Sequence, residues 1–104
     1  KNMAIYAFDF DGTLCENRGP EIGPVREKAM KAAKQIKADG NTLILWTCRC
    51  GERLSEAIAF CRGHGLEFDY INENPPENIA KYGFDSRKIY ADYYVDDKSF
   101  IIED

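Results

Sequence analysis

The chain has 104 residues, 44% of them hydrophobic and 31% charged, and a formal net charge of −4. That is apolar content for one core and not for two lobes, so one domain over residues 1–104 is expected. The acidic balance, spread without a block of like charge, leaves no basic surface for strong nucleic-acid binding. No apolar run reaches the roughly 18 residues of a membrane span, and the N-terminus has no basic region followed by an apolar signal segment. No membrane association and a cytoplasmic location are therefore expected.

In chain order, Ala4 to Phe8 is apolar on nearly every residue, as a strand buried on both faces should be. Gly23-Pro24 predicts the start of a helix, because proline at the first helical position loses no needed hydrogen bond. Val25, Ala29, Ala32, Ala33 and Ile36 recur at helical spacing, and Gly40 stands where such a helix stops. Thr42 to Trp46 reads as a second buried strand. Leu54, Ala57, Ile58 and Cys61 mark a second helix ending near Gly63. Phe68 to Ile71 reads as a third strand. Asn74-Pro75-Pro76 breaks the chain, a helical turn spans Asn78 to Tyr82, and Ile89 to Val95 makes the fourth strand.

Four cysteines, Cys15, Cys48, Cys50 and Cys61, accompany a regular core without an export signal, which favours free thiols over a disulfide framework. Cys48 and Cys50 lack the second close pair that a tetrahedral zinc site needs, and His64, the one histidine, sits between two glycines as a solvated turn residue.

Strands alternating with helices imply a parallel sheet, whose functional crevice lies beyond the carboxyl ends of the strands. Asp9 and Asp11 follow the first strand, Thr47 and Arg49 the second, and Asp96 and Asp97 the fourth; Lys81 and Lys88 lie just upstream of the last pair. Carboxylates about 4 to 5 Å apart repel by several kcal/mol even at an effective dielectric of ~20, so such a cluster calls for a cation. Oxygen-only ligation suits magnesium, which keeps several waters and typically co-binds a phosphate. Helix capping and turns account for any single aspartate; they do not account for four on one rim.

The stretch FDFDGTL, Phe8 to Leu14, resembles the first motif of the haloacid dehalogenase (HAD) superfamily. LILWT resembles the second, an apolar strand ending in Thr, and VDDK the fourth, with an intervening lysine as the third. The resemblance runs from Ala4 to about Lys98. It implies an α/β, Rossmann-like three-layer sandwich with a mostly parallel sheet and a Mg2+-dependent phosphohydrolase acting through an aspartyl phosphate. By it, Asp9 is the nucleophile and Asp11 the general acid and then base, while Thr47 and Lys88 hold the phosphoryl oxygens, Lys81 being the alternative lysine. Gly12, Thr13 and Cys48 would lie against the substrate. Arg49 serves as a substrate contact or as a surface ion pair. The metal set is Asp9, Asp11, Asp96 and Asp97, with Asp97 the direct ligand of the last pair.

Between these motifs the sequence has room for a short flap and not for a cap domain. A capless site suits a large phosphorylated substrate, or a small one enclosed by a neighbouring subunit in a homo-oligomer. ADYYVDD resembles the corresponding segment of deoxyribonucleotidases, but those carry caps, so nucleotide specificity does not follow. The fifth strand common in this fold is missing or reduced to Phe100 to Ile102, and a C-terminally shortened core is expected. Two alternatives remain. A receiver-type signalling domain ends a middle strand in its phosphorylated Asp, where this chain has Thr47. A non-catalytic phosphate-binding module has no need of an acid beside a nucleophile.

Overall fold

The structure, a computed structural model, describes residues 4–103. It is an α/β fold around a four-stranded sheet in which every pairing is parallel. The sheet strands are β1 (Ile5–Phe8), β4 (Thr42–Leu45), β5 (Tyr70–Ile71) and β6 (Tyr93–Val95), in the order β5-β4-β1-β6. A separate hairpin, β2 (Cys15–Arg18) with β3 (Glu21–Val25), follows β1. The helices are α1 (Glu27–Ala38), α2 (Gly51–Gly63) and the short α3 (Pro76–Tyr82).

Side-chain alternation divides β1 and β4 between two cores. Phe8, Leu43 and Leu45 join Met30 and Ala33 of α1 and Ala57 and Cys61 of α2, which cover one face of the sheet. Ala7 and Ile44 point the other way and meet Ile89 and Ala91, with Trp46 alongside. That second face is covered by irregular chain, because α3 buries no residue.

Three differences from the sequence reading have physical causes. Gly23-Pro24 does not open a helix; it lies in β3, which pairs only with β2, so a proline without an N–H costs no interior ladder bond. A side chain at Gly23 would stand 2.3 Å from the Glu16 carbonyl oxygen, and the hairpin register shifts between Cys15 and Asn17, so the dipeptide marks a bulged edge strand. The helix begins at Glu27 instead. Proline does open a helix at Pro76, where the Asn74-Pro75-Pro76 break is followed by α3.

The third and fourth strands are shorter than expected, because side chains take over their ladder bonds. Asp69 gives its backbone N–H to Leu43 O at 2.8 Å and accepts the Leu43 N–H on its carboxylate, also at 2.8 Å. Asp92 does the same to Ile5, at 2.8 and 2.7 Å. Tyr94 then ties down the chain before β6, donating from its hydroxyl to Ile89 O and accepting from Ala91 N. α2 ends at Gly63 as expected, and the left-handed residue that turns the chain after it is Gly65. Gly40, with φ of 97°, turns the chain after α1 as expected. Phe100 to Ile102 form no strand and are exposed. No helix among the described residues is long and apolar enough to cross a membrane.

Candidate active site

Parallel register fixes the rim. Phe8 pairs with Leu45 on one side and Val95 on the other, so Asp9, Trp46 and Asp96 leave the sheet at the same level. Asp9 donates its N–H to Val95 O at 2.9 Å, and Trp46 donates to Phe8 O at 2.8 Å. Beyond Asp9 the chain turns: Thr13 and Leu14 both donate to Phe10 O, at 3.1 and 2.9 Å. Phe10 and Leu14 are fully buried and anchor this turn from below. Alternation therefore sends Phe10 inward and leaves the two aspartates on the rim.

Asp9, Asp96 and Asp97 each offer a carboxylate oxygen within 4.8 Å of the others, a group of side chains that could hold a metal ion. Burial, aided by repulsion from Asp96 and by contact with Asp97, pushes the Asp9 carboxyl up from 3.8 to about 6, although the Phe10 backbone hydrogen bond opposes this. Burial pushes Asp97 the same way, but the Lys98 ammonium outweighs it, as donor and as charge, and Asp97 sits below its ordinary value. Lys98 Nζ is 3.2 Å from Asp97 Oδ2. Gly12 makes room for this pair of strand ends: its φ is +84°, and a Cβ there would lie 2.1 Å from Asp97 Oδ2.

The carboxylate of Asp11, expected in the metal set, lies outside the trio. Arg49 holds it in a two-point fork, Nε to Oδ2 and Nη2 to Oδ1, both at 2.8 Å. The Arg49 side chain is only 7% exposed and that of Asp11 23%, so Arg49 is a partner of Asp11 in the site, and not the exposed ion pair allowed by the sequence. Its hydrogen bonds to Asp11 push the guanidinium above its ordinary range.

A cleft of about 690 Å3 opens over these groups. Of the residues expected from the sequence, it is lined by Asp9, Asp11, Thr47, Cys48, Arg49 and Asp96. Thr47 accepts from Arg49 N on its hydroxyl at 3.1 Å, while Asn72 Oδ1 takes its backbone N–H at 2.8 Å. Thr13, expected against the substrate, is buried beneath the turn with its hydroxyl unpaired by protein. Lys88, expected to hold the phosphoryl oxygens, lies outside this cleft. Its ammonium stands 5.1 Å over the Tyr94 ring and lines a separate cavity with Asn74 and Phe84, because Tyr94 and Asn74 hold its segment against the second face. Lys81 lies over Tyr82 instead. The lysine that does line the cleft is Lys98, which directly follows the acidic pair and was legible there. Asn72, whose φ of 54° lets it brace Thr47, gave no signal in the sequence. All four cysteines are free; Cys15 and Cys61 are buried, and burial pushes the Cys61 thiol up to about 12.

A solved structure of a conserved protein coded by locus from Bacteroides thetaiotaomicron is 44% identical to the chain, covering 94% of this chain and 78% of that one, with a TM-score of 0.83. The chain belongs to the family of that conserved protein. No model of a known protein family matches the chain, and no curated protein does. Membership fixes the fold; the function has to be read from the rim.

Proposed function

We propose that the chain is a Mg2+-dependent phosphohydrolase, acting on a phosphomonoester through an aspartyl phosphate on Asp9, with a Rossmann-like, HAD-type core and no cap. The trio Asp9, Asp96 and Asp97 within 4.8 Å, with Asp11 two residues from Asp9, carries this reading. The donor set fits the cation: hard carboxylate oxygens, crowded enough to repel, beside a glycine that leaves space for Asp97. When bound, magnesium would neutralise phosphoryl oxygens that otherwise repel an attacking carboxylate.

The chain's own groups supply the rest. An oxygen of Asp9 bonds to phosphorus as the bond from phosphorus to the leaving oxygen breaks, and that oxygen takes the proton that Asp11 carries into this step, bound on a lone pair not engaged by Arg49. Asp11 then takes a proton from water, the water oxygen attacks phosphorus, and the bond to Asp9 breaks to release inorganic phosphate. With its pKa near 6, Asp9 is mostly ionised at neutral pH, as a nucleophile must be. The Thr47 hydroxyl and the Lys98 ammonium are the cleft's groups for the phosphoryl oxygens. The test is turnover of an aryl phosphate with magnesium. Asp9→Asn should lower it by at least about 10⁴-fold with the fold intact; retained turnover would remove Asp9 from this role.

A further inference from the structure

Arg49 has more partners than a substrate contact would. Besides the fork on Asp11, Nη1 donates to Arg53 O in the first turn of α2 at 3.2 Å, and Nη2 to Glu21 O in the β2–β3 hairpin at 3.3 Å. The guanidinium carbon stands 5.1 Å over the Phe10 ring. Every nitrogen of the group is thus engaged, one flat face is covered, and the side chain is buried. Such a group does not swing out to meet a ligand. The backbone N–H of Arg49 is anchored too, on the Thr47 hydroxyl.

Asp11 has no comparable support from its own turn. Its carboxylate oxygens are held by Arg49, at Nε and Nη2, and the next residue is a glycine in the left-handed region. Without the fork the side chain would be free to rotate towards Asp9 and Asp97. There it would crowd the acidic trio and lose its place beside the leaving group. We infer that Arg49 is the positioning residue for Asp11: it holds this carboxylate apart from the metal-binding acids and couples its position to the hairpin and to α2. The inference rests on the phosphohydrolase reading above. Turnover then depends on a guanidinium that touches neither phosphate nor metal. A fork is required, because a lysine offers a point charge and cannot hold both oxygens at once.

The experiment uses the full chain, Arg49→Lys and Arg49→Gly, with aryl-phosphate kinetics, circular dichroism, and binding of magnesium with fluoroberyllate, a mimic of the phosphorylated aspartate. Arg49→Lys should lose about 100-fold in kcat with KM within about threefold, the cost of misplacing a reacting group by about 1 Å. Fluoroberyllate should still bind both variants, since Asp9, Asp96 and Asp97 are untouched. Millimolar guanidinium should restore kcat of Arg49→Gly at least about tenfold by refilling the socket; if Arg49→Gly does not fold, the lysine variant decides alone. A lysine variant with kcat within about threefold of wild type overturns the inference. So does a rise in KM at unchanged kcat, which would make Arg49 a phosphate ligand, or a folded glycine variant that guanidinium does not rescue. Wild-type protein that neither turns over nor binds fluoroberyllate would sink the phosphohydrolase reading, and this inference with it.

Discussion

Asp9 and Asp11 leave the same strand two residues apart, yet they stand in opposite electrostatic surroundings. Asp9 faces Asp96 and Asp97 within 4.8 Å, and the cation beside them, Lys98, is exposed and pairs with Asp97. Asp11 faces a buried arginine that meets it at two points, 2.8 Å each. One half of the rim stores repulsion and the other is neutralised within the chain. The contrast teaches that identical residues on one turn acquire different tasks from what the neighbouring strands bring to them. On the reading proposed above, the first half takes up a cation, whereas the carboxylate of the second already has its counter-charge in Arg49.

The same chemical change should therefore act oppositely on the two halves. Asp11→Asn leaves the buried Arg49 short of a full partner, and the metal-free protein should lose about 1.5 kcal/mol, a fall of roughly 6 to 12 °C in melting temperature. Turnover should fall by about 10²-fold or more, the contribution of a general acid and base. Asp97→Asn keeps the shape near Gly12 and removes one charge from the trio, so in chelator it should melt no lower than wild type while losing the magnesium-dependent rise. Melting curves of both variants with and without magnesium make the comparison. Equal falls in chelator would erase the distinction between the two halves.

A further effect follows from pH. The folded-state pKa of Asp9 is raised, from 3.8 to about 6, so between those values the folded protein holds the extra proton. Stability must then fall as pH rises from about 4 to 6 and level off above, in the metal-free protein. The lowered pKa of Asp97 acts below its ordinary value, outside that window. Melting temperatures from pH 4 to 7.5 should show a decline attributable to Asp9, absent from Asp9→Asn and reversed by saturating magnesium. A wild-type profile parallel to that of the variant would mean that neither burial nor its acidic neighbours raise the Asp9 carboxyl.

The smallest expected effect is that of Lys88→Ala. Its ammonium lies over Tyr94 in a cavity of its own, so kcat/KM should change by less than about threefold, within what loss of a remote surface contact produces. Lys98→Ala, at the cleft, should lose more. The reverse order would return Lys88 to the phosphate site and move its segment.

The rim itself was legible in the sequence. Apolar runs that end in Asp9, Thr47 and Asp96-Asp97 announce parallel strands and place their polar ends on one side, because period and burial are local properties of a chain. Gly40 and the break at Asn74 to Pro76 were readable for the same reason. A short flap and one helix between Leu14 and Asn41 were foreseen from length, though the flap not as a hairpin, since Gly23-Pro24 serves a bulged edge strand and a helix start equally well.

Local pattern thus sets the order of the four sheet strands and the three helices and puts the carboxylates at the strand ends, but it leaves the β2–β3 hairpin unread. How those groups pair is set by contacts between distant elements. Arg49 meets Asp11 across 38 residues of chain; Asp69 and Asp92 shorten their strands by bonding Leu43 and Ile5; and Lys88 turns to Tyr94 and away from the rim. A long charged side chain reaches in several directions from its backbone, and its partner is set by what other elements bring within hydrogen-bond distance. Spacing along the chain carries no record of that choice.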